Sequence, residues 1–253
     1  MFIDTHCHLF KEYYDNIDEI INKCKINNIE KIIVSGVDMK SNKEVLELIS
    51  KYDIVYGSIG FHPTELDNFR YDDLIWLEEH INDNKIVAVG EIGLDYHYDN
   101  TNKEKQYDIL KRQLDIAQKY NKPIIFHSRD AIGDTYNILK EYKLRGSIHC
   151  YSGSVPMARE FTKLGYMIGV GGVVTYKNSK ILKEVVKDTD LSYILLETDA
   201  PYLCPEPYRG KKNDSSYIYE IAMVIAKLKD TSLVEVSRVT SDNAERLFDF
   251  FLN

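Results

Sequence analysis

The chain begins Met1-Phe2-Ile3-Asp4-Thr5-His6-Cys7-His8, an apolar run that closes on two histidines. The run reads as a strand. Successive side chains on a strand point to opposite faces, so His6 and His8 share a face and Cys7 points away. Two imidazoles side by side repel when both are protonated, and a divalent metal between them relieves this by binding neutral nitrogens. Taken alone, the pair also fits one surface and one packed histidine. The same event, a short apolar run ending in a histidine or an acid, recurs along the chain.

Lys31 to Ser35 is β-branched and short, a second strand. Ile54 to Ile59 runs into Gly60-Phe61-His62-Pro63, and Ile86 to Gly90 ends at Glu91. Pro123 to Phe126 ends at His127, and Ser147-Ile148 ends at His149. Tyr166 to Val170 is a seventh run, and Tyr193 to Leu196, the eighth, ends at Glu197-Thr198-Asp199. Between them, apolar residues recur at helical spacing over 12–27, 42–51, 74–81, 103–120, 131–142, 155–164 and 179–187, then over 215–229 and 233–250. Ser41 is the expected cap of the second helix. Eight alternations of strand and helix in 253 residues predict an α/β fold, a (β/α)8 TIM barrel, with residues 1–253 as a single domain. No Gly-rich loop follows the first strand, which argues against a dinucleotide-binding open sheet.

Composition narrows the class. Hydrophobic residues are 44% and charged residues 28%, ordinary for a soluble globular protein. No apolar run approaches a membrane span, and no basic stretch followed by an apolar one suggests a signal peptide. The four cysteines, Cys7, Cys24, Cys150 and Cys204, show no CxxC spacing. Reduced thiols in a cytoplasmic protein are the expectation. A net charge of −8 argues against tight, sequence-specific DNA binding, but not against a site where bound metals supply positive charge.

In such barrels the chemistry sits at the C-terminal ends of the strands. The predicted strand ends carry His6, His8, His62, Glu91, His127, His149 and Asp199. Four imidazoles and two carboxylates suit a pair of divalent ions such as Zn, Mn, Co or Ni, while Mg prefers more oxygen ligands. A metal pair needs a shared ligand, and the two oxygens of Glu91 make it the candidate bridge. The ions would acidify a shared water, and Asp199 would orient that water and take its proton.

The segments Asp4 to His8, Gly90-Glu91-Ile92-Gly93-Leu94-Asp95-Tyr96, His127-Ser128-Arg129, His149 to Gly153 and Glu197 to Leu203 together resemble the TatD family of metal-dependent deoxyribonucleases. So do Arg209 to Asn213 and Asn243 to Phe248, and the resemblance runs the length of the chain. It implies a TIM barrel and a two-metal centre. One ion would be held by His6, His8, Glu91 and Asp199, the other by Glu91, His127 and His149. It also implies hydrolysis of DNA phosphodiesters, chiefly from a 3′ end; the net charge of −8 adds the expectation that the DNA is held weakly and without sequence preference. Cys204 stands where Thr or Ser is expected, and Asp214-Ser215-Ser216 replaces a Glu-Pro type sequence; neither touches a proposed ligand. With the resemblance, His62 reads as a donor to a phosphate oxygen and Arg209 as a two-pronged phosphate contact. Tyr202 reads as a base-stacking or a packing residue. Asp95 reads as an acceptor steadying a ligand histidine. His80 and His97 read as a helix-surface and a loop residue. Hydrolysis of a small amide, lactone or phosphoester at the same site is the alternative activity.

Overall fold

The computed structural model describes residues 1–97 and 102–250. Eight parallel strands lie in the order of the chain. They are β1 (Phe2–Cys7), β2 (Ile29–Ser35), β3 (Val55–Ile59), β4 (Ile86–Asp95), β5 (Ile124–Arg129), β6 (Gly146–Ile148), β7 (Met167–Val170) and β8 (Ile194–Leu196). The helices between them are α1 (Ile17–Ile26), α2 (Met39–Lys51), α3 (Asp72–His80), α4 (Lys103–Lys119), α5 (Ile132–Leu139), α6 (Val155–Lys163) and α7 (Lys180–Asp188). Helices α8 (Ile218–Leu228) and α9 (Leu233–Phe248) follow the last strand. This is the predicted (β/α)8 barrel.

Local chemistry sets several boundaries that periodicity misplaces. Helix α1 starts five residues later than expected, because the Asn16 side chain accepts from Glu19 N and caps it there. Helix α2 is capped by Asp38, and Ser41, the expected cap, sits three residues in and completes a reciprocal capping box. Strand β4 runs past Glu91 to Asp95. Gly93 allows this close pairing with β5, since a Cβ there would lie 1.9 Å from the His127 carbonyl oxygen.

The strands read as near-continuous apolar runs because both faces are covered, by helices outside and by side chains within. Val34, Val55, Val89, Ile92, Ile124, Ile168 and Ile194 are all fully buried, each worth about 1.5–3 kcal/mol. Near the strand starts a smaller cluster joins Ile3, Ile33, Val87, Ile125, Met167 and Leu195 to Leu247 and Phe248 of α9.

The barrel closes between β8 and β1 with only a few bonds, and those lie beside the histidines. Asp199 N donates to the His6 carbonyl at 3.0 Å and His8 N to that of Ala200 at 2.6 Å. Side chains supply the rest of the seam. The Thr5 hydroxyl donates to the Leu196 carbonyl, while the buried Asp4 carboxyl accepts from Thr198 N and from its hydroxyl at 2.9 and 2.6 Å. Three buried side-chain amides clamp the strand-end loops. Asn42 of α2 exchanges both hydrogen bonds with Gly60, at 2.8 and 3.0 Å. Gln113 of α4 does the same with Phe61, and Gln106 of α4 with Asp95. Each amide plays the part of a neighbouring strand's peptide group. Among the described residues no helix is long and apolar enough to cross a membrane. All four cysteines are free.

Candidate metal centre

Strand alternation aims His6 and His8 the same way, as the sequence predicts. Their Nε2 atoms lie 3.2 Å apart, while Cys7 Sγ turns to the Ile33 carbonyl. The outer nitrogens are fixed. His8 Nδ1 faces the Ser35 carbonyl at 3.0 Å, which can only accept, so Nδ1 carries the proton and Nε2 is left as a lone pair. His6 Nδ1 meets the Ser35 hydroxyl at 3.1 Å.

Glu91 lies at the centre of the cluster. Its Oε2 is 3.4 Å from both His6 Nε2 and His8 Nε2, and Asp199 Oδ1 is 3.6 Å from each. His6, His8 and Glu91 form a triangle of donors with edges of 3.2–3.4 Å, and Asp199 approaches it from the side of the two histidines. A tetrahedral cation with bonds of about 2.0–2.2 Å requires edges of about 3.3–3.6 Å, so the triangle of His6, His8 and Glu91 fits one face of such an ion. The other oxygen, Oε1, faces a different group: His149 Nε2 at 2.8 Å, His127 Nδ1 at 3.0 Å and His62 Nε2 at 3.3 Å. His127 Nδ1 and His149 Nε2 are themselves 3.3 Å apart. The division is not absolute. His149 also reaches His6 and Asp199, and His62 joins Glu91 and His127 as ligand-capable atoms within 4.8 Å of one another. His62, expected to touch substrate, thus lies among the potential ligands.

Electrostatics match a site built for cations. Burial pushes the Glu91 carboxyl up, but His149, His62, His6 and His127 outweigh it and hold it well below the usual carboxylate range. Asp199 behaves likewise: burial raises it, and His8, His149 and His6 bring it below its ordinary value. Burial lowers His149, yet Glu91, Glu197 and Asp199 carry it up to about 10. His6 falls to about 4, through burial and the neighbouring His149. Two ionised carboxylates among five imidazoles, with edges that suit a small cation, form a donor set that divalent ions fit.

Carboxylates also stand behind the histidines. Asp95 Oδ2 accepts from His127 Nε2 at 2.9 Å, leaving Nδ1 for the cluster. Glu197 Oε1 lies 3.9 Å from His149 Nδ1 and accepts from Cys150 N. Glu197 fits only because residue 169 is glycine, whose added Cβ would meet Glu197 Oε2 at 2.4 Å. The roles of Asp4, Ser35 and Glu197 escape periodicity. Their one sequence signal is a polar residue that interrupts an apolar strand, as Asp4 does, or stands at its end, as Ser35 and Glu197 do.

The rim residues lie farther out. Tyr202 is 48% exposed, with its ring edge-on to His8 at 6.0 Å. Arg209 is exposed, its guanidinium 4.4 Å over the Tyr176 ring. His80 stacks on Trp76 of its own helix, and His97 meets Asp130 at 3.0 Å.

A (β/α)8 barrel with such a mouth is that of a metal-dependent hydrolase. The TatD related DNase family model matches residues 3–249, and the chain belongs to that family. It is 42% identical over 252 residues to the uncharacterized metal-dependent hydrolase YabD of Bacillus subtilis, covering 98% of this chain and 99% of that one. The crystal structure of the TatD homologue YjjV from Escherichia coli superimposes with a TM-score of 0.93 at 32% identity, covering 98% of each chain. A TatD family hydrolase from Entamoeba histolytica gives 0.86 at 26% identity, again over 98% of each.

Proposed function

We propose that the chain is a two-metal deoxyribonuclease that hydrolyses DNA phosphodiesters by attack of water, working from a 3′ end. The observation that carries the reading is the two-sided Glu91, one oxygen toward His6 and His8 and the other toward His127 and His149. In this reading His6, His8, Glu91 and Asp199 hold one ion, and Glu91, His127 and His149 the other. Divalent cations there would acidify a shared water and offset charge developing on the phosphate.

The protein's own groups do the rest. Asp199 closes the seam with a side chain 13% exposed toward the mouth, and its depressed pKa keeps it ionised. Its Oδ1, which faces His6 and His8, would help to hold an ion, and its other oxygen is left to take the proton of the attacking water. His62, hydrogen-bonded through Nδ1 with the Thr64 hydroxyl at 2.8 Å, presents Nε2 to a phosphate oxygen. Arg209 holds a neighbouring phosphate in two places. Free thiols suit a cytoplasmic setting. The ions would be Zn, Mn, Co or Ni in preference to Mg, given the imidazole-rich set.

The net charge of −8 favours a second reading, hydrolysis of a small amide, lactone or phosphoester. Turnover of a short single-stranded DNA against a panel of small esters and lactones decides between them. Within the first reading, Asp199→Asn should lower kcat by on the order of 10²–10⁴ at saturating metal, with occupancy measured and DNA affinity little changed. Near-normal kcat with both ions bound would remove Asp199 from the role of base.

A further inference from the structure

Tyr202 lies three residues beyond Asp199, and its backbone is fixed at both ends. Its N–H donates to the Asp199 carbonyl at 2.9 Å, and its own carbonyl accepts from Asn213 Nδ2 at 2.7 Å. The hydroxyl meets the Tyr13 hydroxyl at 3.0 Å, with the two rings 5.9 Å apart. Tyr13 leans on the buried Phe10, and Phe10 on His8. Four rings thus close a circuit that starts at a candidate metal ligand and ends at an open tyrosine. A single exposed aromatic residue is ordinary. An exposed one locked beside the reacting centre is not, since a preorganised ring binds with little ordering cost.

The same loop carries the local positive charge of an otherwise acidic chain, Arg209-Gly210-Lys211-Lys212. Each cation is set over a tyrosine: Arg209 over Tyr176 at 4.4 Å, Lys211 over Tyr208 at 5.3 Å, Lys212 over Tyr14 at 5.6 Å. Lys212 also donates to the Tyr13 carbonyl, which ties the cation to the ring circuit. A fixed ring beside fixed cations is the combination that grips a single strand, base on ring and phosphate on cation. A lactone or small ester would use neither.

We infer that Tyr202, braced by Tyr13, is a stacking platform for one nucleobase of the DNA strand whose phosphate lies at the Glu91 cluster. The inference rests on the deoxyribonuclease reading and extends it to the uncharged part of the substrate. Because stacking is tolerant of base identity, the platform confers a demand for a base without a preference among the four.

The test is a base-removal scan. Ten-residue single strands, each lacking the base at one position, are compared with the intact strand on the metal-loaded enzyme. One position should raise KM by about five- to a hundredfold, the range expected of a single stacked base. In Tyr202→Ala the intact strand should show that raised KM, and base removal at that position should add nothing further. Tyr202→Trp should restore sensitivity, and metal content measured on each variant separates lost stacking from lost ions. The wild-type scan needs no variant, so a misfolded Tyr202→Ala leaves it intact. Uniform KM across the scan, or unchanged base sensitivity in a folded Tyr202→Ala, overturns the platform while the nuclease reading stands. If the intact strand is not cleaved under any metal, the nuclease reading itself falls, and the platform with it.

Discussion

Glu91 and Glu197 flank the same imidazole, that of His149, from the β4 and β8 sides of the mouth, and they are held in opposite states. Both are buried, at 3% and 0% exposure. Burial pushes both carboxyls up. Five imidazoles surround Glu91, and they bring it far below its usual range. Glu197 has His149 and one backbone N–H, and burial carries it up to about 8 despite them. Its Oε2 has no hydrogen-bond partner among the described residues. Burial alone therefore does not say whether an acid is charged; the number of cationic neighbours decides. The ionised one is suited to bind metal, and the protonatable one to steady His149 from behind.

The largest effect should come from collapsing the first half of this contrast. Glu91→Gln keeps the shape and removes the charge shared by both donor sets, so both ions should bind more weakly together. Phosphodiester turnover at limiting metal should fall by on the order of 10³-fold or more, in line with the several kcal/mol that a catalytic ion supplies. Metal titration monitored by elemental analysis checks it. Loss at one site only would deny Glu91 the bridging role.

Asp4 sharpens the other half, as a second buried acid with few cationic neighbours. Burial raises its pKa from 3.8 to about 6, against hydrogen bonds from Ser215, Thr198 and His6. The folded protein keeps a proton that the unfolded chain has released between those two values. The stability from this group is full below about pH 4 and is lost as pH rises through about 6. Asparagine mimics the protonated acid and suffers no such loss. In metal-free protein, Asp4→Asn should gain on the wild type by on the order of 3 kcal/mol between pH 4 and 7. Urea unfolding across that range measures the difference. A constant gap would mean that Asp4 stays ionised at the seam.

Glu197→Gln should do least. The amide oxygen still accepts from Cys150 N, and only the capacity to ionise behind His149 goes. Metal affinity should drop about 10-fold, the lower end for a partner standing behind a ligand, and only at the ion touching His149. An effect as large as that of Glu91→Gln would erase the distinction between the two glutamates.

Most of the fold and the cluster is legible in the sequence, because the barrel puts its chemistry where apolar runs stop. His127, His149 and Asp199 stand out for that reason alone. Glu91 and His127 are expected at strand ends and lie within strands, since the pairing of Gly93 with His127 joins residues thirty-four apart. Asp4, within β1, and Glu197, just past β8, look like ordinary polar residues until the seam and Gly169 bring their surroundings together. Buried amides are harder still. Asn42, Gln106 and Gln113 fall on the apolar stripes of their helices, three or four residues from Val45, Ile109 and Leu110, and helical spacing can turn them inward but cannot name the peptide groups they hold.

Two of those amides lie seven residues apart on α4, two turns along one face. Gln113 grips the peptide next to His62, and Gln106 grips the end of the strand that carries Glu91. Any shift of α4 is therefore passed to both places with the same sign. What moves in common leaves their separation alone, so the helix can breathe as a whole without changing the gauge of the site. Releasing either grip would turn a shared displacement into a relative one, at the one spacing that the 3.3 Å approach of His62 to Glu91 depends on.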